Sequence, residues 1–122
     1  MRVLTGAVLD LCCVMAFVLI GRRSHGEAGA LAGLAATAWP FLVGLAVGWL
    51  TTRAWRRPAA VVPTGVGVWL VTFAVGMGLR ALSGKGVPVT FAIVTLVFLG
   101  VTMLGWRAVT AGLRRSRMSH KL

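Results

Sequence analysis

Acidic side chains are scarce in this 122-residue chain, which has two, Asp10 and Glu27, against 13 lysines and arginines. It has no tyrosine, two histidines and two cysteines. The sequence therefore offers no carboxylate pair for general acid–base catalysis and no His-Glu-x-x-His motif for zinc. Cys12 and Cys13 are adjacent, and neighbouring side chains on a helix point about 100° apart, so they cannot form a disulfide with each other. We accordingly expect no catalytic residue, no metal, no cofactor and no enzymatic activity.

Charge is also missing from long stretches of the chain, which is 58% hydrophobic with a mean hydropathy of +0.90. A soluble domain of this size could not bury so much apolar surface, whereas a membrane-spanning helix needs roughly 20 apolar residues. The sequence predicts an all-α polytopic membrane protein, a bundle of four transmembrane helices. The expected boundaries are a four-helix domain over residues 1–110, with helices near 3–21, 29–52, 59–82 and 87–108, and a basic cytoplasmic tail over 111–122.

The distribution of positive charge predicts the orientation. The connections are short, so consecutive helices should be antiparallel neighbours. Both termini and the second connection then share one side with nine of the 13 lysines and arginines, Arg107 among them, and the other side has four. Because cytoplasmic loops carry the excess of Lys and Arg, we predict a multi-pass plasma-membrane protein with both termini in the cytoplasm. The turn "GRRSHGEAG" (Gly21–Gly29) would then face outward.

The net charge of +11 would suggest nucleic acid as the partner of a soluble protein. In a membrane protein it favours contact with membrane lipids, including anionic head groups, and we expect no nucleic-acid partner. Trp49, Trp55 and Trp106 are expected to anchor the bundle at the cytoplasmic interface, where indole rings are favoured. The tail from Arg114 onward is expected to be disordered or to lie on the membrane surface.

Small residues at four-residue spacing mark where helices can approach closely in lipid. The second predicted helix has two such series, Gly29, Gly33 and Thr37, and Pro40, Gly44 and Gly48. Thr72 and Gly76 continue the pattern in the third. We therefore expect tight packing along these ridges, with a kink at Pro40.

A shift of 57 residues aligns "FLVGLAVGW" (Phe41–Trp49) with "FLGVTMLGW" (Phe98–Trp106). This indicates two parallel two-helix repeats related by an axis along the membrane normal. The alternative is chance similarity, because Gly, Ala, Val and Leu dominate the chain.

Asp10 is the acid within a predicted membrane segment, where an Asp costs about 2.5–3.5 kcal/mol to insert and needs a partner. Arg22 and Arg80 lie at the outer end of the bundle, roughly 16 Å away, so we expect no salt bridge to either. Trp69 lies at a matching depth and could donate its indole N–H. Asp10 is then either a proton-coupled or ion-binding carboxylate, or a structural, hydrogen-bonded one.

The outer face carries a second candidate site, for an anion, comprising Arg22, Arg23, His25 and Arg80. Arginine offers planar, bidentate donors that suit phosphate or carboxylate. The alternative is that these are solvated loop residues, with one pair between Arg80 and Glu27.

Asp10, "GRRSH" (Gly21–His25), "WPF" (Trp39–Phe41), Arg80, "PVTF" (Pro88–Phe91) and "GWR" (Gly105–Arg107) together resemble a known family. It is the 3054 family of domains of unknown function, small prokaryotic membrane proteins. The resemblance covers nearly the whole chain. It implies four transmembrane helices and no assigned activity.

Three functions are compatible with these residues. The first is an accessory or assembly subunit that packs through its glycine ridges within a larger membrane complex. The second is a small transporter or channel, as a homo-oligomer, that uses Asp10. The third is a module that binds an anionic lipid or polymer at the outer face.

Overall fold

The computed structural model describes the backbone of residues 3–24 and 31–121, and the side chains of residues 3–21 and 32–116. Within these ranges it contains four long helices and no strand. They are α1 (Val3–Ser24), α2 (Leu31–Thr52), α3 (Val66–Leu82) and α4 (Val89–Lys121). Each includes or adjoins an apolar stretch long enough to cross a membrane, which confirms the predicted all-α four-helix membrane bundle. In lipid a helix satisfies its own backbone hydrogen bonds, and these uncharged runs therefore fold as helices.

Two boundaries differ from the expected ones. The predicted last helix stops near residue 108, whereas α4 continues through the basic tail to Lys121. The predicted third helix begins near residue 59, whereas α3 begins at Val66. The segment before α3 holds a 3-10 turn at Ala54–Arg56 and a π-helical turn at Val61–Gly65 that is interrupted by an extended Val62. The second connection is thus a folded element.

The helices form a ring in which each packs mainly against two others, in the order α1, α2, α3, α4 and back to α1. We call the end where α1 begins and α2 ends the proximal end. The opposite end, where α1 ends and α4 begins, is the distal end.

The closest helix packing is between α2 and α3, along the predicted ridge of small residues. A methyl group on Gly44 would lie 2.7 Å from the Thr72 carbonyl oxygen, and one on Gly48 would lie 3.2 Å from the Val68 Cα. A methyl group on Gly76 would overlap the Phe41 ring. A side chain at Gly44 would overlap the backbone of α3, so tight packing along the ridge of Gly44 and Gly48 is confirmed. Gly29, in the other predicted ridge, lies outside the described residues. α2 continues as one helix through the buried Pro40.

Phenylalanine rings fill the centre of the bundle. Phe17 of α1 meets Phe41 of α2 edge to face, with ring centroids 5.4 Å apart. It also contacts Phe91 and Phe98 of α4, with centroids 5.9 Å away in both cases. Buried aromatic pairs of this geometry contribute about 0.5–1.5 kcal/mol beyond the burial of their area. This cluster separates a polar site at the proximal end from a cavity at the distal end.

Candidate functional site: a buried ion pair and a distal cavity

Asp10 lies on the buried face of α1, about 10 Å along the helix from Val3. Gly6, Val14 and Phe17 share this face and are buried with it. The Asp10 side chain has no exposed surface, so its carboxylate must be satisfied entirely by protein groups.

Arg107 of α4 provides the countercharge. Its Nη1 donates to Asp10 Oδ1 at 2.9 Å and its Nη2 donates to Oδ2 at 2.6 Å, which is the paired, bidentate arrangement that arginine forms with carboxylates. Arg107 also has no exposed surface. Its Nε donates to the Pro58 carbonyl at 2.8 Å, and Nη1 donates to the Met103 carbonyl at 3.1 Å.

Two tryptophans complete the coordination of the carboxylate. Trp49 of α2 donates its indole N–H to Asp10 Oδ2, and Trp106 of α4 donates to Oδ1, both at 2.9 Å. Each carboxylate oxygen therefore accepts one bond from Arg107 and one from an indole. The Arg107 guanidinium also lies 4.3 Å from the centroid of the Trp106 ring, a cation–π distance. We call Asp10, Arg107, Trp49 and Trp106 the Asp10 anchor.

Two glycines make room for the Asp10 anchor. A methyl group on Gly6 would lie 2.9 Å from Pro58 Cβ and 3.5 Å from the Trp49 ring. A methyl group on Gly65 would lie 2.8 Å from the Cδ of Arg107. The anchor thus joins α1, α2, α4 and the segment before α3 in one desolvated network.

The electrostatics of the Asp10 anchor favour a fixed ion pair over a reactive one. Removing one member of a buried pair costs about 3–5 kcal/mol, because the other charge remains buried without compensation. The carboxylate accepts four hydrogen bonds and has no contact with solvent. Each carboxylate oxygen thus has two protein donors.

A second feature lies at the distal end, where a cavity of about 610 Å³ opens between the helices. Apolar and small side chains form most of its wall, with two cations. Its lining residues are Phe17, Val18, Gly21, Thr37, Arg80, Lys85, Pro88, Thr90, Phe91 and Val94.

Arg80, in the last turn of α3, is held at this cavity by two contacts. Its Nε donates to the Gly86 carbonyl at 2.9 Å, and its guanidinium carbon lies 4.3 Å from the centroid of the Phe91 ring. These contacts leave its two terminal nitrogens with no hydrogen bond to any described residue. Lys85 is exposed at the same cavity. Arg80 is therefore oriented by the fold while its bidentate donors remain available.

A family model described as a protein of unknown function, DUF3054, matches residues 7–110. The chain belongs to the DUF3054 family. The resemblance seen in the sequence is thus confirmed, and the match includes all four residues of the Asp10 anchor and every residue that lines the distal cavity. The chain matches no curated protein and no solved structure.

In this DUF3054 chain, Trp69 is not the donor to Asp10, although its depth along the helix suggested it. Trp69 donates its indole N–H to the Leu96 carbonyl at 2.9 Å and does not bond to Asp10. Trp49 and Trp106, expected as interfacial anchors, bind Asp10 instead. Arg107, counted among the charges of the cytoplasmic side, is buried.

The structure describes only part of the candidate anion site predicted at the outer face. Arg80 lines the distal cavity and makes no ion pair with Asp10. Arg22 and Arg23 lie in the last turn of α1, but their side chains lie outside the described residues. His25 and Glu27 lie outside them entirely, as does the predicted pair between Glu27 and Arg80. Within the described part of the chain, no three His, Cys, Asp or Glu residues are close enough to hold a metal ion.

Sequence reasoning missed Arg107, although a signal for its neighbourhood existed. The 57-residue shift pairs Trp49 with Trp106, and both indoles donate to the same carboxylate. Arg107 follows Trp106 directly in the "GWR" motif. If both indoles had been predicted to donate to Asp10, Arg107 would have been predicted to lie next to Asp10 as well.

Proposed function

We propose that this DUF3054 membrane protein binds an anionic amphiphile, such as an anionic lipid, in its distal cavity. The observation that carries the proposal is the combination of Arg80 and Lys85 with apolar walls in one cavity of about 610 Å³. Ligand sites are typically cavities of roughly 300–1,000 Å³ with mainly apolar walls and a few placed polar groups.

The two kinds of lining match the two parts of an amphiphile. The terminal nitrogens of Arg80 and the ammonium group of Lys85 can donate to a phosphate or carboxylate head group. Phe17, Val18 and Val94 can contact a hydrocarbon chain. The outer surface of the bundle around the cavity also exposes many apolar side chains. Binding would therefore follow the orientation that a lipid already has in a bilayer.

Binding is favoured over catalysis and over transport through Asp10. Among the described residues, the ionisable groups that line the cavity are Arg80 and Lys85, two cations that attract an anion but supply no general base at neutral pH. The Asp10 carboxylate is saturated by four hydrogen bonds, which supports a structural role for that residue. The function that these residues support best is therefore binding.

We also propose the plasma membrane as its location, with both termini in the cytoplasm and the distal cavity outside. With Arg107 buried, eight of the remaining 12 cations still belong to the proximal side in the sequence count. A reporter fused after Leu122 should be active only in its cytoplasmic form. An active extracytoplasmic reporter at that position would reverse the assignment of the two ends.

The binding proposal is tested with purified full-length protein and two lipids of different charge. Native mass spectrometry in mild detergent should detect bound phosphatidylglycerol, and little bound phosphatidylcholine at the same concentration. The double variant Arg80→Gln, Lys85→Gln should bind phosphatidylglycerol at least about tenfold more weakly, which corresponds to about 1.4 kcal/mol. A photoactivatable phosphatidylglycerol should crosslink to the cavity residues near Phe91.

The control is Arg53→Gln, which removes one exposed charge outside the distal cavity. It should leave phosphatidylglycerol binding and crosslinking near Phe91 unchanged. Equal binding of both lipids, or equal loss in the double variant and in Arg53→Gln, would refute a specific distal site. All of these substitutions change only partly or fully exposed side chains, so size-exclusion profiles should match the unmodified protein.

A second proposal is an accessory or assembly subunit of a larger membrane complex. Gly44, Gly48 and Gly76 are used for packing within the bundle, which leaves fewer glycines for a partner. Gly78 and Gly105 support this proposal, since a methyl group on either would meet no described atom within 4 Å. Affinity purification in mild detergent with mass spectrometry tests it, and a lone protein at every detergent concentration would count against it.

A further inference from the structure

A cleft of about 400 Å³ lies at the proximal end, between the segment after α2 and the extension of α4. We call it the proximal cleft. Arg56 and Arg57 line it from one side, and Arg114 and Arg115 from the other. It lies at the opposite end of the bundle from the distal cavity and is independent of the function proposed for that cavity.

The wall of the proximal cleft is rigidly attached to the Asp10 anchor. Pro58 lines the cleft and is buried, and its carbonyl accepts the Nε–H of Arg107 at 2.8 Å. Arg57 donates its backbone N–H to Ala54 at 3.2 Å, and Ala60 donates to Arg57 at 3.2 Å. The segment that carries Arg56 and Arg57 is thus positioned by the fold, and α4 presents Arg114 and Arg115 on a continuous helix.

The charge of the proximal cleft is uncompensated within the described part of the chain. The one acid there is Asp10, and Arg107 already pairs with it. Four guanidinium groups around one small cleft repel one another unless an anion lies between them. Arginine is also the side chain whose planar donors fit the oxygens of a phosphate in pairs.

The position of the cleft along the membrane normal makes it accessible to phosphate groups from two sources. Arg114 lies seven residues beyond Arg107 on α4, or about 10 Å further along the helix axis. Because roughly 20 helical residues cross the hydrocarbon core, a span that starts at Val89 ends before Arg114, and we infer that the cleft lies at the level of the lipid head groups. A lipid phosphate and a water-soluble phosphate ester can both reach it.

We propose that the proximal cleft is a phosphate-binding site formed by Arg56, Arg57, Arg114 and Arg115. The ligand carries a phosphate group that the arginines contact from both sides. The guanidinium groups that line the cleft, and not the net positive charge of the protein, provide its affinity.

The test uses full-length protein in nanodiscs of phosphatidylcholine with inorganic pyrophosphate as a soluble probe, titrated by calorimetry. A parallel series measures retention of phosphatidic acid by native mass spectrometry. Arg57→Gln with Arg114→Gln should weaken binding of the recognised probe at least tenfold. Arg57→Lys with Arg114→Lys keeps the charge but loses the bidentate donors, and should weaken it by a smaller factor that remains measurable.

The control is Arg53→Gln, which removes one exposed charge that lines neither the proximal cleft nor the distal cavity. It should leave the affinity unchanged. Binding of pyrophosphate, of phosphatidic acid or of both supports the site and identifies the source of the phosphate where Arg57→Gln with Arg114→Gln weakens it. The proposal is overturned if neither probe binds, or if the Gln pair weakens binding no more than Arg53→Gln does. It is also overturned if the Lys pair binds as tightly as the unmodified protein, because charge alone then accounts for the affinity. The Lys variant keeps the test decisive should the Gln variant fold poorly.

Discussion

The two ends of this bundle treat charge in opposite ways. At the proximal end Asp10 and Arg107 have no exposed surface and satisfy each other and their neighbours. At the distal end Arg80 lines an open cavity with Lys85, and neither forms an ion pair within the described part of the chain. A charge buried with a matched partner fixes the architecture, whereas a charge kept at a cavity is available to a ligand.

The strongest test of this contrast is to remove the charge of Asp10. Asp10→Asn leaves the Arg107 guanidinium buried without a countercharge, and it should destabilise the fold by about 3–5 kcal/mol. Arg80→Gln removes a partly exposed charge and one stacking contact, and it should cost less than about 1 kcal/mol. Unfolding in mixed detergent micelles, followed by circular dichroism, measures both.

Pairing the first change with a second distinguishes lost charge balance from lost packing. Asp10→Asn with Arg107→Gln removes both charges and keeps hydrogen-bonding groups, so it should recover part of the stability that Asp10→Asn loses. If Asp10→Asn proves as mild as Arg80→Gln, the proximal end is not held by this ion pair.

A smaller effect is expected from adding one methyl group at each end. Gly65→Ala would place its Cβ 2.8 Å from the Arg107 Cδ, and should destabilise by about 1–3 kcal/mol through overpacking. Gly78→Ala in α3 meets no atom within 4 Å and should stabilise by up to about 1 kcal/mol, as alanine favours a helix. Thermal unfolding in detergent provides the comparison. Similar shifts for both variants would contradict tight packing around Arg107.

The sequence predicted the bundle because the uncharged runs have the length of a membrane span. It also predicted close packing along ridges of small residues, because Gly44 and Gly48 follow the spacing of one face of α2, and Thr72 and Gly76 that of one face of α3. These are local patterns, in which each residue is interpreted together with its neighbours along the chain.

The Asp10 anchor is different, because it joins residues that lie 39 to 97 positions apart. The position of Arg80 along its helix correctly excluded it as the salt-bridge partner of Asp10. The same reasoning failed for Arg107, since that residue was assigned to the solvent side of α4 from its place near the end of an apolar run. The structure continues α4 as a helix through the basic residues to Lys121, whereas the sequence predicted a helix end near residue 108.

The backbone of the two turns offers the finest comparison between the ends. Both turns contain a left-handed residue, Arg53 (φ 52°) at the proximal end and Gly84 (φ 83°) at the distal end. A residue with a Cβ pays roughly 1–2 kcal/mol in this conformation, and glycine does not. Gly84→Ala has open space around its Cβ, so its expected loss of about 1–2 kcal/mol would be purely conformational.

Arg53→Gly should have the smallest effect and the opposite sign. Relief of the left-handed strain is offset by the greater entropy that glycine gives the unfolded chain, about 0.4–1 kcal/mol, so the net gain should stay below about 1.5 kcal/mol. Arg53 is exposed and lines neither pocket, so no ligand effect is superimposed on the measurement. Matched thermal unfolding curves should show Arg53→Gly above, and Gly84→Ala below, the unmodified protein. A loss of stability in Arg53→Gly would mean that its side chain contributes more at the proximal end than its backbone strain costs.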